Sequence, residues 1–134
     1  MSCESETERV ERAETFEASP EEVWESLTDD DRLSEWLAEE VEIEPFEGGE
    51  ISVRDDDGER SGMVETVIEE ERLTYTWARP GEAPSRVDFV IEAVPAGTRL
   101  TVTETAVTGP VAIAAGGWQR RLEALRRGLA LVLA

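Results

Sequence analysis

The residues with the clearest chemical potential are polar side chains inside strand-like runs. They are Arg54, Glu65, Tyr75 and Glu104. Glu104 follows Leu100 and Val102 at intervals of two, so it would share their face of a sheet. A glutamate on an inner face could act as a general acid or base, and a nearby arginine could pair with it or hold a ligand carboxylate. Because carboxylates are seldom fully buried, the simpler expectation for Glu104 is an exposed side chain near a strand end.

Aromatic residues form the second candidate set, because ring faces suit apolar or flat ligands. The members are Trp24, Trp36, Trp77, Trp118 and Tyr75. Trp24 and Trp118 lie on apolar helical stripes, which predicts that both pack in the core. Trp36, on a short helix, and Trp77, at the end of a strand, could contact either the core or a ligand.

The composition excludes several classes of active site. The chain has no histidine, and all 13 of its basic residues are arginine, so histidine bases, catalytic triads and lysine Schiff bases are ruled out. The one cysteine, Cys3, cannot form an internal disulfide or supply a zinc site alone. The acidic runs at 55–57 and 69–71 lack the spacing of a calcium loop and are expected to be solvated turns. We therefore predict no metal and no cofactor, and we assign no catalytic residue.

The charge balance limits the partners. A formal net charge of -19 repels nucleic acid and anionic membranes, so neither is expected as a partner. A basic protein is an alternative partner, although solubility alone would account for the charge. No apolar run approaches the ~20 residues of a membrane-spanning helix. Residues 1–12 are polar and do not resemble a signal peptide, so we expect a cytoplasmic protein with a frayed tail over residues 1–8.

The elements that would position these side chains begin with a strand over residues 9–18. Ser19 can then cap a helix, Pro20 suits its first turn, and Ser19 with Glu22 fits a capping box. A second short helix is expected over about residues 33–37. With 134 residues, the whole chain is expected to form one domain.

The rest of the chain predicts an antiparallel sheet and one long helix. Further strand-like runs lie at 41–46, 51–54, 62–68, 73–77, 87–94 and 99–105. Turns of hairpin length separate them, which favours antiparallel pairing. From Trp118 onward, apolar residues recur at Leu122, Leu125, Leu129 and Val132 or Leu133, as on one stripe of a helix. One face of a sheet must be covered by another element, and the C-terminal helix is the element long enough to do it. We therefore predict an α+β fold in which a curved sheet of about seven strands wraps the long C-terminal helix.

This order of elements resembles the SRPBCC superfamily, also called the helix-grip or START-like fold. Within it, the chain is similar to the group related to the C-terminal domain of the heat-shock-90 ATPase activator. The motifs that carry the resemblance span nearly the whole chain. They are the segments at 20–24, 33–36, 46–49, 58–62, 73–77 and 97–100, and the pair Gly117-Trp118.

The resemblance implies a cavity between sheet and long helix that binds a small hydrophobic or amphipathic molecule. The short loop at 108–115 is expected to leave the cavity mouth narrow or open. The residues expected to bind the ligand are Trp36, Arg54, Tyr75, Trp77, Glu104 and Trp118. Some members of the superfamily are cyclases or dehydratases, so an enzyme that uses Glu104 or Glu65 with an ordered water is one alternative. An acidic module that binds a protein, as the chaperone name suggests, is another.

Overall fold

The computed structural model describes residues 9–56, 58–107 and 115–133, and describes the side chains of the last helix from 118 to 129. Its elements are β1 (Arg9–Phe16), α1 (Pro20–Thr28), α2 (Asp30–Trp36), β2 (Glu40–Ile43), β3 (Glu50–Asp55), β4 (Gly58–Ile68), β5 (Arg72–Ala78), β6 (Ser85–Val94), β7 (Gly97–Ala106) and α3 (Ala115–Leu133). These elements confirm the predicted fold class. The expectations for the tail at 1–8, for Cys3, for Asp57, for most of the loop at 108–115 and for the side chains of Val132 and Leu133 lie outside the described residues.

The strands form one antiparallel sheet in the order β1-β7-β6-β5-β4-β3-β2. Strands β2 to β7 follow one another as hairpins, whereas α1 and α2 carry the chain from β1 at one edge to β2 at the other. The expectation that the fourth strand begins at Gly62 is wrong, because β4 begins at Gly58. The turn before it is tight, with Asp55 opposite Gly58, so pairing extends to the turn and brings Arg60 opposite Val53.

The first short helix begins at the predicted cap, whereas the second begins at Asp30, before the predicted residue 33. The Ser19 side chain accepts a hydrogen bond from the Glu22 amide at 3.2 Å, and Pro20 occupies the first turn. Asp29 ends α1 and caps α2, since its carboxylate accepts from the amides of Asp31 and Arg32 at 2.8 and 3.3 Å. One residue therefore ends the first helix and caps the second.

The long helix α3 packs its apolar stripe against the rest of the core. Trp118, Leu122, Leu125 and Leu129 are all buried, which confirms the predicted stripe over the described part of the helix. Trp118 contacts rings of β5 and β6, so the helix crosses the concave side of the sheet. Trp24 is partly buried and packs against this core, so its predicted packing is confirmed in part. The arrangement is the helix-grip fold.

Candidate functional site

Alternation along the central strands places the candidate side chains on the face of the sheet that α3 covers. Tyr75 and Trp77 of β5, Phe89 of β6 and Glu104 of β7 are all buried there. The period-two argument for Glu104 is thus confirmed. The expectation that Glu104 is exposed is wrong, since only 8% of its surface is accessible.

Glu104 tolerates burial because three donors converge on its carboxylate. Its Oε1 accepts a hydrogen bond from the Trp118 indole at 2.7 Å. Its Oε2 accepts from the Trp77 indole at 2.9 Å and from the Ser85 hydroxyl at 2.5 Å. Hydrogen bonds to a charged acceptor offset the cost of removing it from water. The carboxylate therefore ties the sheet to α3 through two tryptophans.

Five aromatic rings, which we call the aromatic cluster, fill the space beside this carboxylate. They are Trp36, Tyr75, Trp77, Phe89 and Trp118. The Trp77 and Trp118 rings stack with centroids 6.2 Å apart, and Tyr75 meets Trp77 edge-on at 5.4 Å. Phe89 contacts Trp118 at 5.7 Å and Trp36 at 6.1 Å. The predicted aromatic residues of the concave face are brought together by this packing.

Two arginines that the sequence analysis did not single out lie over the Trp77 ring. The guanidinium carbon of Arg60 is 4.8 Å from the ring centroid, and that of Arg121 is 5.6 Å from it and 4.8 Å from the Trp118 centroid. Burial lowers the pKa of Arg121, and the positive charge of Arg60 lowers it further. The i, i+3 spacing of Trp118 and Arg121 was a usable signal for their contact. The sequence did not identify Arg60 as a site residue, because the fourth strand was expected to begin after it.

The hydroxyl of Tyr75 is a buried group without a described partner. No hydrogen bond to it forms within the described ranges, although its ring is almost fully buried. Burial raises the pKa of this phenol, and the charges of Arg121 and Arg60 act in the opposite direction. Such groups are uncommon in native proteins and call for a specific explanation.

The other two polar candidates lie on the outer side of the sheet. Arg54 has 62% of its side chain exposed and pairs with Glu40 at 2.8 Å. Glu65 pairs with Arg86 at 2.7 Å, at a bulge in β4. Neither residue is brought together with Glu104, so Arg54 does not pair with that carboxylate, which was one of the two roles considered for a nearby arginine.

A second ion pair on the outer face has a clear electrostatic effect. Asp88 accepts from Arg72 at 2.7 and 3.0 Å and from Thr74 at 2.7 Å. Partial burial would raise the pKa of Asp88, but these hydrogen bonds and the charges of Arg72 and Arg86 lower it below its ordinary value.

A half-open groove of about 250 Å³ lies between the short helices and α3, and we call it the α2–α3 groove. Its floor is apolar, with Trp36, Leu125 and Leu129 from the two sides. The remaining lining residues are Ser26, Arg32, Glu35, Ala124, Arg127 and Gly128. The indole of Trp36 donates to the Ser26 carbonyl at 2.9 Å, which fixes the ring that forms the floor. Of the six residues expected to bind a ligand, Trp36 lines this groove.

No three acidic or cysteine side chains of the described residues converge as metal ligands. None of the helices, as far as they are described, has the length and apolarity needed to span a bilayer.

Comparison with known proteins connects this geometry to a family. Residues 17–130 match the family described as activator of Hsp90 ATPase homolog 1-like protein. A comparison with curated proteins gave no match.

Among solved structures, protein MLL2253 from Mesorhizobium loti has a TM-score of 0.80 at 25% identity, over 91% of this chain and 96% of its own. DynU16, a protein of the dynemicin biosynthetic locus, has a TM-score of 0.82 at 26% identity. That match covers 92% of this chain and 47% of DynU16. The Aha1 dimer from Colwellia psychrerythraea, at 22% identity, shares the fold with a TM-score of 0.78 over 90% of this chain and 95% of its own. The helix-grip fold and the match over most of its length show that this chain belongs to the activator of Hsp90 ATPase homolog 1-like family.

Proposed function

We propose that this domain binds a small amphipathic molecule in the α2–α3 groove. The observation that carries the proposal is the groove itself, which combines an apolar floor with charged residues at its rim. Its volume of about 250 Å³ lies just below the ~300–1,000 Å³ of common ligand sites. A ligand of modest size, or one end of a longer molecule, would fit it.

The lining residues divide the recognition into two parts. Trp36, Leu125 and Leu129 would cover the apolar part of the ligand, which gains about 25 cal/mol for each Å² removed from water. Arg32 and Arg127 would contact a polar end at the rim, where both partners stay near water. The predicted ligand residues Tyr75, Trp77, Glu104 and Trp118 would then lie behind the floor of the groove. Phe89 connects them to the floor, because its ring packs against both Trp36 and Trp118.

Tryptophan fluorescence during titration with a fatty acid, a steroid and an aromatic polyketide tests the proposal. We expect a saturable change with one of them, and loss of most of that change in Trp36→Phe. Gly128→Leu places a side chain in the groove and should weaken binding at least about tenfold, or 1.4 kcal/mol. Arg120→Leu adds the same side chain on an exposed part of α3 outside the groove lining and should leave binding unchanged. Equal affinities in both variants, or no saturable change with any compound, would refute the proposal.

Of the two carboxylates of the enzymatic alternative, Glu65 is paired with Arg86 on the outer side of the sheet, so the alternative depends on Glu104. A general acid or base must have an oxygen available for the substrate or for a water. The two oxygens of Glu104 already accept three hydrogen bonds, and this favours an anchoring role over proton transfer.

A basic protein partner is the second candidate function. An acidic depression of about 420 Å³ beside α2 and the edge strands has Asp30, Asp31, Glu40, Glu42 and Glu59 in its lining. Together with the net charge of -19, this surface would attract a basic region of another protein. Association that weakens steeply between low and physiological salt would support this role, because exposed charges are screened over about 8–10 Å.

A further inference from the structure

Two cations converge on one aromatic ring in a chain that is otherwise strongly acidic. Arg60 reaches the Trp77 ring from β4, and Arg121 reaches the same ring from α3. Each guanidinium group is attracted to the face of the ring, but the two groups repel each other. The negative charges of Glu104 and Asp55 attract Arg121, and an anion bound beside the two guanidinium groups would offset the remaining repulsion.

These two arginines differ from others on the surface in their partners. Arg54, Arg72 and Arg86 each form an ion pair with a carboxylate at 2.7–2.8 Å. Neither Arg60 nor Arg121 forms an ion pair with any carboxylate that the structure describes. The Nε of Arg121 donates to the Leu37 carbonyl at 3.1 Å, and none of the described acceptors takes a hydrogen bond from its terminal nitrogens.

The nearest buried carboxylate has other donors. Both oxygens of Glu104 are used by Trp77, Trp118 and Ser85. The hydroxyl of Tyr75, whose ring packs against Trp77, is a further donor without a described acceptor. Arg60 and Arg121 contact the same Trp77 ring that Tyr75 meets edge-on at 5.4 Å, so the three groups are neighbours. The Tyr75 hydroxyl and the terminal nitrogens of Arg121 are thus donors without a described acceptor beside the Trp77 ring.

We propose that Arg60, Arg121 and Tyr75 form a binding site for an anionic oxygen group, a carboxylate or a phosphate, beside Trp77. The guanidinium groups supply paired N–H donors, which match the geometry of both anions, and the phenol supplies a third donor. The site is separate from the α2–α3 groove, since none of its three residues lines that groove. It gives the domain a recognition element that apolar burial alone does not provide.

Nuclear magnetic resonance titration of the full chain with small anions tests the proposal. Acetate and inorganic phosphate represent the two anion classes, and acetamide is a neutral molecule of nearly the same shape as acetate. At constant ionic strength, we expect a saturable shift of the Trp77 indole N–H with acetate or phosphate, and none with acetamide. Whichever anion binds more tightly identifies the class. Equal shifts with acetate and acetamide, or no shift with either anion, would overturn the proposal.

Three variants separate the site from general effects of charge. Arg60→Gln should raise the dissociation constant at least about fivefold, while Arg54→Gln, on the outer face and paired with Glu40, should change it less than twofold. Equal effects of these two substitutions would overturn the proposal. Tyr75→Phe should weaken binding about threefold, and unchanged affinity would refute the three-donor site.

Two further substitutions test the role of the partly buried Arg121 and the independence of the anion site from the groove. If Arg121→Gln folds, as judged by circular dichroism, it should weaken binding at least as much as Arg60→Gln, and Arg121→Lys should restore part of the affinity. If Arg121→Gln does not fold, the anion affinity of Arg60→Gln alone tests the role of the guanidinium groups. Gly128→Leu should leave anion binding unchanged, because that residue lines only the groove, so failure of the groove proposal and failure of the anion site are distinguishable.

Discussion

Replacing the buried carboxylate of Glu104 by an amide should destabilise the domain strongly. The Glu104→Gln side chain keeps the shape but replaces one oxygen by an NH₂ group. If that group takes the place of Oε2, it faces the Trp77 indole N–H, and if it takes the place of Oε1, it faces that of Trp118. The hydroxyl of Ser85 can rotate and become an acceptor, but an indole cannot. The Trp77 indole also donates to the Ser85 hydroxyl at 3.1 Å, so in the first orientation it keeps this longer bond while the Ser85 hydroxyl loses the acceptor for its own hydrogen. In the second orientation the Trp118 indole loses its acceptor, so one buried donor is left without a partner in either case.

The magnitude follows from this count of donors. A buried donor left without a partner costs about 1–3 kcal/mol, and the loss of the charge on the remaining hydrogen bonds adds roughly 1 kcal/mol. We expect a total loss of about 2–4 kcal/mol from a stability of about 5–15 kcal/mol. The melting temperature should fall by roughly 4 °C for each kcal/mol.

Urea unfolding followed by far-ultraviolet circular dichroism measures this loss. Glu65→Gln is the matched control, because Glu65 forms an exposed ion pair with Arg86 and should lose no more than about 1 kcal/mol. A Glu104→Gln protein within 0.5 kcal/mol of the wild type, a threshold about half the worth of one hydrogen bond, would refute the anchoring role of the carboxylate.

The remaining predictions concern other parts of the fold. Gly128→Ala should raise the free energy of unfolding by about 0.5–1 kcal/mol, since glycine is a poor helix former and an added methyl meets its nearest atom at an ordinary 3.8 Å; a loss of stability in urea would contradict this. Tyr75→Phe should leave stability unchanged or raise it by up to about 1 kcal/mol, because it removes a buried hydroxyl with no described partner, and a clear loss on thermal unfolding would show that the hydroxyl is bonded. The pKa of Asp88 is lowered in the folded state, so the stability from its pair with Arg72 is present above the unfolded pKa of about 4 and is lost as the pH falls through the lower folded value. Asp88→Asn should therefore cost about 1 kcal/mol at pH 7, and its unfolding free energy should fall less steeply than that of the wild type below pH 4; parallel pH curves would contradict this.

The fold was largely predictable because its signals are local. The cap at Ser19, the alternation in β5 and the four-residue and three-residue steps from Trp118 each follow from the geometry of a single element. A period of two also placed Glu104 on the correct face. What the sequence did not predict was its burial, because that depends on donors from three other positions, Trp77, Ser85 and Trp118, which only the tertiary structure brings together.

The errors in the site have the same origin. Arg54 was considered as an arginine that could pair with Glu104, yet alternation along β3 turns Arg54 outward while Val53 faces the core. Arg60 was missed because the strand was expected to begin after the glycine turn, and its approach to Trp77 depends on the pairing of β4 with β5. The α2–α3 groove depends on the packing of two helices that are distant in the sequence, so no local pattern predicts it.

The indole N–H resonances of the four tryptophans give the most direct measurement of ligand binding in this account. Saturation with an amphipathic compound that binds should shift the Trp36 indole, because its ring forms the floor of the α2–α3 groove. The Trp24 indole, on a helix that contributes only Ser26 to the groove lining, should stay in place. A shift of Trp36 that disappears in Gly128→Leu is the predicted result. A bound ligand that leaves Trp36 unchanged would contradict the account.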